Sequence, residues 1–180
     1  LLKPQYRGKL VMPDASQHTT TAQWLASLPR VMGGREKADK FIRDLAATRP
    51  LLVESLTPAG ERITTGETPI GIAFIKNVVF YGKKGVPLDY VRLGKFMGDG
   101  QAIALGAKAP HASAGKAFMD FFLGEEGLKI MAGIGEFVTR KGIYPPLPDA
   151  DKIELVEMID MDKKAYAEKM AEYRKIFLQK

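Results

Sequence analysis

The residues best suited to chemistry form one run, Asp14-Ala15-Ser16-Gln17-His18-Thr19-Thr20-Thr21, directly behind the short apolar segment Lys9-Leu10-Val11-Met12-Pro13. An apolar stretch closed by proline reads as a buried strand, and the oxygen-bearing side chains after it read as a helix start. The first amides of a helix have no intrahelical acceptor and sit at the positive end of its dipole. Such a turn suits an oxyanion or a small polar molecule, although ordinary capping needs the same residue types.

Other chemistries find little support. His18 and His111 each stand in a polar helix-start context, without a second histidine or a carboxylate at metal-ligand spacing. There are no cysteines, which removes disulfides, thiolate zinc sites and cysteine nucleophiles. No G-x-S-x-G elbow, phosphate-binding P-loop or dinucleotide fingerprint occurs. Gly94, Gly98 and Gly100 make a glycine-rich loop without the spacing of a nucleotide-binding turn, so a flexible crossing is the simpler reading. The expectation is no cofactor, no metal and no enzyme. Lys and Arg number 27 against 21 Asp and Glu, a net charge of +6. They are scattered in ones and twos and not interleaved with aromatics, which describes a solvated face and argues against a nucleic-acid partner. No apolar run approaches the roughly 18 residues of a membrane span.

Several elements must position that turn. Trp24, Leu25, Leu28 and Val31 fall at helical spacing, with Pro29 set to break the segment and Gly33-Gly34 to stop it. Ala38, Phe41, Ile42 and Leu45 form a clear stripe, with Glu36–Lys40 and Asp39–Arg43 expected to support it at i,i+4. Leu51-Leu52-Val53-Glu54-Ser55 reads as a strand, and 59–65 as a short helix closed by Gly66. The apolar run 69–75 has the character of a central parallel strand. A helical turn or two over 77–84 should follow, then strands at 88–91 and 101–105. Ala114, Ala117, Phe118 and Phe121 share one helix face, and a second short helix covers 125 to about 132. A strand over 136–139 and an extended proline-rich connection over 144–148 lead to a last helix from Asp160 or Asp162. Tyr166, Met170, Tyr173 and Phe177 mark its buried side. Strands interleaved with helices give an α/β sheet.

Four blocks in order resemble family 1 of the extracellular solute-binding proteins, whose best-known branch holds the ferric-ion binders. They are Leu1-Leu2-Lys3-Pro4-Gln5-Tyr6-Arg7-Gly8-Lys9-Leu10-Val11-Met12-Pro13-Asp14; Glu54-Ser55 with Gly66-Glu67-Thr68-Pro69-Ile70-Gly71-Ile72; Lys83-Lys84-Gly85-Val86-Pro87-Leu88-Asp89-Tyr90-Val91; and Ala102 to Ala112 with Phe118-Met119-Asp120-Phe121-Phe122-Leu123-Gly124-Glu125-Glu126-Gly127. The resemblance implies a lobe of the type 2 periplasmic binding fold, with a mixed sheet and helices on both faces. It identifies the chain as the C-terminal half of a two-lobe protein: residues 1–100 as the second lobe, 101–155 as crossover and helices returning to the first lobe, and 156–180 as a terminal helix returning to the second. The first of these blocks stands near the middle of such chains, which places most of the first lobe outside this sequence.

The implied function is the substrate-binding component of an ABC-type importer. Its partners would be a small-molecule ligand in an interlobe cleft and a membrane permease. The location would be periplasmic or extracytoplasmic, with a lipid anchor in a Gram-positive bacterium or an archaeon. The alternatives are the ligand-sensing effector domain of a regulator and an enzyme on the same fold. For the enzyme, Glu54 with Glu67 is the one carboxylate pair to name, and both lie in segments the binding family also shows.

In the ferric branch a tandem tyrosine pair follows the third strand. Here Val78 and Val79 stand in that stretch and Tyr81 is alone, so ferric ion, which needs anionic oxygen donors, is not expected. A phosphonate, carboxylate, polyamine or other small polar solute fits better. Because ligands of open α/β sheets bind beyond the carboxyl ends of the strands, the expected contacts are Ser16, His18 and Thr19, Ser55 and Thr57, Asn77, and Asp99. If the helices after Pro110 were shaped to cover a lobe, the stripe with Ala114, Phe118, Phe121 and Phe122 is left open, which predicts self-association of this chain.

Overall fold

A computed structural model describes residues 1–178. The chain divides into two compact units. The first comprises Leu1–Phe74, Lys95–Gly98 and Leu155–Lys180, and the second Ile75–Gly94 and Asp99–Glu154.

The first unit is built on three parallel strands, β1 (Leu10–Pro13), β2 (Leu51–Val53) and β3 (Ile70–Gly71), in the order β2-β1-β3. Val11 pairs with Leu51 on one side and with Gly71 on the other, so β1 is central. Its four residues are all buried, as a strand covered on both faces requires. Leu10 and Met12 point into a core formed with α1 (Thr19–Ser27), α3 (Arg35–Ala47) and the terminal helix α8 (Lys163–Leu178). The opposite face is covered by α4 (Leu56–Thr64). A side-chain carbon on Gly71 would lie 2.6 Å from Val11 Cγ1 and 2.7 Å from Ile63 Cδ1 of that helix. Helices therefore cover both faces, and the three strands are all parallel where a mixed sheet was expected. A second, two-stranded sheet joins β4 (Lys95–Gly98) to β5 (Glu154–Glu157). Its bonds from Glu154 N–H to Gly94 O and from Met158 N–H to Gly98 O advance together along both segments, as in parallel pairing.

Local chemistry explains most boundaries. Pro29 ends the first helix and opens a one-turn helix, α2 (Pro29–Met32), where its missing N–H is harmless. Gly33 then closes that turn in the left-handed region, φ 76°. In α3 the buried positions are Ala38, Ile42 and Leu45, as the stripe predicts. Its ion pairs are Arg35–Asp39 and Lys40–Asp44 instead of the expected Glu36–Lys40 and Asp39–Arg43. Those pairs are exposed and decide little. The fourth helix begins at Leu56, three residues before its expected start, because Pro58 falls within the first turn, where no amide partner is needed.

The second unit holds α5 (Lys76–Gly82), α6 (Ala112–Leu123) and α7 (Glu125–Gly133), with a small cluster of Val79, Leu147 and Ala150. Three expected strands are absent among the described residues. Over 88–91 the Asp89 carboxylate accepts the Tyr90 amide that a ladder would use, and the Tyr90 hydroxyl donates to Pro148 O. Over 101–105 no strand pairing forms among the described residues, and Leu105 packs on Gly115 of α6. Over 136–139 Glu136 pairs with Lys76 at 2.6 Å and Phe137 joins the small cluster. The glycine loop, conversely, contains β4. The strand expected over 69–75 shortens to two residues as the chain leaves for α5.

Candidate functional site

The run after β1 folds into a tight turn held by Asp14, whose buried carboxylate accepts the Ser16 amide at 2.8 Å and the Gln17 side-chain amide at 2.9 Å. Both oxygens therefore brace the turn. The cap of α1 is His18, in extended backbone, whose Nδ1 accepts the Thr21 amide at 3.2 Å and lies 2.8 Å from the Thr21 hydroxyl. An accepting Nδ1 assigns the proton to Nε2. Burial holds the imidazole below its ordinary value, so the ring is neutral near pH 7 and offers one N–H. Ser16 and Thr19 do not cap the helix. Thr19 is the first helical residue, and among the described residues the amides of Thr19 and Thr20 meet no acceptor.

A second helix start lies beside it. The Asp14 amide donates to Val53 O at 2.7 Å, which brings the ends of β1 and β2 together. Ser55 occupies the N-cap position of α4 without closing a side-chain hydrogen bond, and Thr57 is the exposed second residue of that helix. Ser16, His18, Thr19, Ser55 and Thr57 thus sit on one edge of the first unit, behind two adjacent parallel strands. Asn77 and Asp99 belong to the second unit. Asn77 lies in the first turn of α5, and its Nδ2 is buried without a partner among the described residues. Asp99 is exposed immediately after β4.

The strand order adds a topological reason to look here. After β1 the chain crosses to β2 over one face, and after β2 it returns past β1 to β3 over the other. In this order the switch point of an open α/β sheet lies between β1 and β3, so the carboxyl end of β1 and the start of α1 border the crevice, whereas α4 stands on the other side of β1. The edge presents hydroxyls, helix-start amides and one neutral imidazole N–H, a set made to bind acceptor oxygens.

The bacterial extracellular solute-binding protein family matches this chain over residues 1–135. The chain belongs to that family. No curated protein and no solved structure matches it. Of the pair Glu54 and Glu67, Glu67 is ion-paired with Arg62 at the surface. Among the described residues no three carboxylates or histidines gather as a metal site, and no helix is long and apolar enough to cross a membrane. The sequence named the turn from Asp14 to Thr21 but not the organising roles of Asp14 and Thr21, nor the amide of Thr20 as a site group. The first-turn spacing His18-x-x-Thr21 is the signal that could have shown them.

Proposed function

We propose that this chain is the C-terminal half of the substrate-binding component of an ABC-type importer, taking up a small polar or anionic solute outside the cytoplasm and presenting it to a membrane permease. The observation that supports this most is the pair of adjacent helix starts, α1 and α4, at the carboxyl ends of parallel strands in a chain of the solute-binding family. Thr19 and Thr20 amides and the His18 Nε2–H donate to the solute's oxygens, with the hydroxyls of Ser16, Thr19, Ser55 and Thr57 around them. In the second unit, taken by itself, Asn77 offers an amide Nδ2 that is buried without a partner among the described residues, at a cost of about 1–3 kcal/mol. The order of the four sequence blocks supports the assignment to a C-terminal half.

A thermal-shift panel tests this reading with inorganic phosphate, small carboxylates, phosphonates, polyamines, sugars and ferric citrate. A ligand that binds only the folded state raises the melting temperature by mass action. An oxyanion or polar-solute hit that is lost in Thr19→Pro, which removes one of the donor amides, supports the edge as the site. Ferric citrate as the sole hit, with a tyrosinate-to-iron absorption band, would overturn the ligand class and direct attention to Tyr81 and Tyr90.

A further inference from the structure

A cleft of about 170 Å³ opens between helices of the first unit, and every residue that lines it belongs to that unit. Leu25 and Ala26 of α1, Pro29 of α2, Ile42 of α3 and Ile159 form its apolar wall. Ile159 is fixed there by the Gln23 side chain, which donates to its carbonyl, and by the Ser27 hydroxyl, which accepts its amide. An apolar cavity of about 150 Å³ holds a benzene ring, so this wall takes a side chain of the same order of size.

The polar part of the lining has capacity to spare. Tyr173 of α8 is 1 % exposed, yet its hydroxyl meets no hydrogen-bond partner among the described residues. The oxygen is not sealed off from solvent either, so this buried side chain turns its one polar atom to the cleft. Buried tyrosines ordinarily find a partner for that group. Arg35, at the start of α3, approaches Asp39 only at 3.7 Å and through Nε. That length is beyond a hydrogen bond. It leaves the terminal guanidinium nitrogens and the Asp39 carboxylate without a hydrogen-bonded partner among the described residues. Both charges act on the Tyr173 phenol, so the three groups stand together at the cleft. Lys169, the remaining polar lining residue, is engaged by Glu172 at 2.8 Å.

We infer that this cleft binds a free apolar α-amino acid of about the size of leucine, at a site that shares no residue with the edge behind β1 and β2. The ligand's carboxylate accepts from the Tyr173 hydroxyl and the terminal nitrogens of Arg35. Its ammonium donates to Asp39, and its side chain lies against Leu25, Ile42 and Ile159. An acid without the amine would face the Asp39 carboxylate unpaired, and an amine without the acid would leave the phenol and the guanidinium unused. The rim charges are open to solvent, so the dissociation constant is on the order of a millimolar.

Amide NMR shifts of the isotope-labelled chain, followed during titration with L-leucine, isocaproate and isoamylamine, test this. Leucine should move the amides of Leu25, Ala26, Arg35 and Asp39 saturably. Isocaproate lacks the amine and should bind about threefold or more weakly. Isoamylamine lacks the carboxylate and should bind about tenfold more weakly. Tyr173→Phe keeps the ring and should lower leucine affinity about tenfold at an unchanged melting temperature, because the hydroxyl has no partner in the protein to lose. Asp39→Asn should remove the difference between leucine and isocaproate. Ala26→Leu fills the cleft and should abolish binding; circular dichroism checks its fold, and the other two variants decide the matter if it does not fold. Absence of saturable shifts at these residues overturns the inference, and so does leucine binding indifferent to both Tyr173→Phe and Asp39→Asn. Isocaproate binding as well as leucine to the parent chain overturns the amino-acid assignment. Shifts centred on Ser16 to Thr21 would support the edge at the start of α1 and overturn the cleft.

Discussion

At the residue scale, the helix start after β1 separates two roles that composition alone confounds. Ser16 and Thr19 were open to a capping role, yet His18 caps the helix and Asp14 binds the turn. Ser16→Ala and Thr19→Ala should therefore leave stability within about 0.5 kcal/mol of the parent. Affinity for whichever oxyanion the thermal-shift panel identifies should fall about tenfold for each, as expected for hydrogen bonds to a charged group. A melting temperature that drops while affinity holds would sink this assignment. His18 itself carries a pH signature. Burial lowers its folded-state value, so on acidification the unfolded chain takes the proton first, near the ordinary 6.5. Stability is thus full above that range and declines as pH falls below it. Melting temperatures should drop between about pH 7.5 and 5, and His18→Asn, which keeps a cap acceptor without titrating there, should flatten the His18 part of that slope. An unchanged slope in the variant would show that other groups set it.

Elements differ in how plainly the sequence announces them, and the reason is range. The stripe of α3 and the break at Pro29 are local, so spacing and one proline suffice. The pairing of β4 with β5 is not: Lys95–Gly98 is bounded by glycines, its partner Glu154–Glu157 is mostly exposed and charged at both ends, and nothing near either segment names the other. The strands expected over 88–91 and 101–105 fail for the converse reason. Their residues favour strands, but they make no ladder among the described residues, and an unpaired segment leaves its amides to side chains such as Asp89. Of the site, the turn after β1 was legible because helix starts have a composition. Its cap was not, because histidine is an uncommon N-cap. Gly71 shows how closely the elements fit. With Val11 and Ile63 at 2.6 and 2.7 Å from a notional Cβ, Gly71→Ala should cost about 1–3 kcal/mol. Chemical denaturation reads that cost directly, and a neutral result would mean that α4 gives way easily.

On the scale of the molecule, the two units are unequally built. The first encloses a continuous core from Leu10 through Leu45 to Tyr173, whereas the second has a smaller cluster around Val79, Leu147 and Ala150, buries Leu128 and Ala132 besides, and leaves Phe80, Phe118, Ile130 and Ile134 exposed. Local opening follows buried contact, so hydrogen exchange should be slowest in β1, α1 and α3. It should be fastest over residues 99–111, where no helix or strand holds the amides. Equal protection in both units would contradict this. The terminal helix is part of the stronger unit. Tyr173 is fully buried, and burial lifts its phenol well above the ordinary value, so it stays protonated and acts as an aromatic anchor. Tyr173→Ala should cost about 3–5 kcal/mol, measured by urea unfolding.

That anchor has a consequence for how the chain comes into being. The Gln23 side chain donates to Ile159 O and the Ser27 hydroxyl accepts the Ile159 amide, contacts that span 136 and 132 residues, and α8 packs on α1 and α3 immediately beyond them. During synthesis the central strand waits for residues 51–71 before it has neighbours and for α8 before its core is sealed. Contacts so distant in sequence must overcome loop-closure entropy before they return any stabilisation, which slows folding and prolongs exposure of the apolar residues of α1 and α3. A nascent chain of this kind has its greatest need of a chaperone in the interval between the emergence of β1 and that of α8.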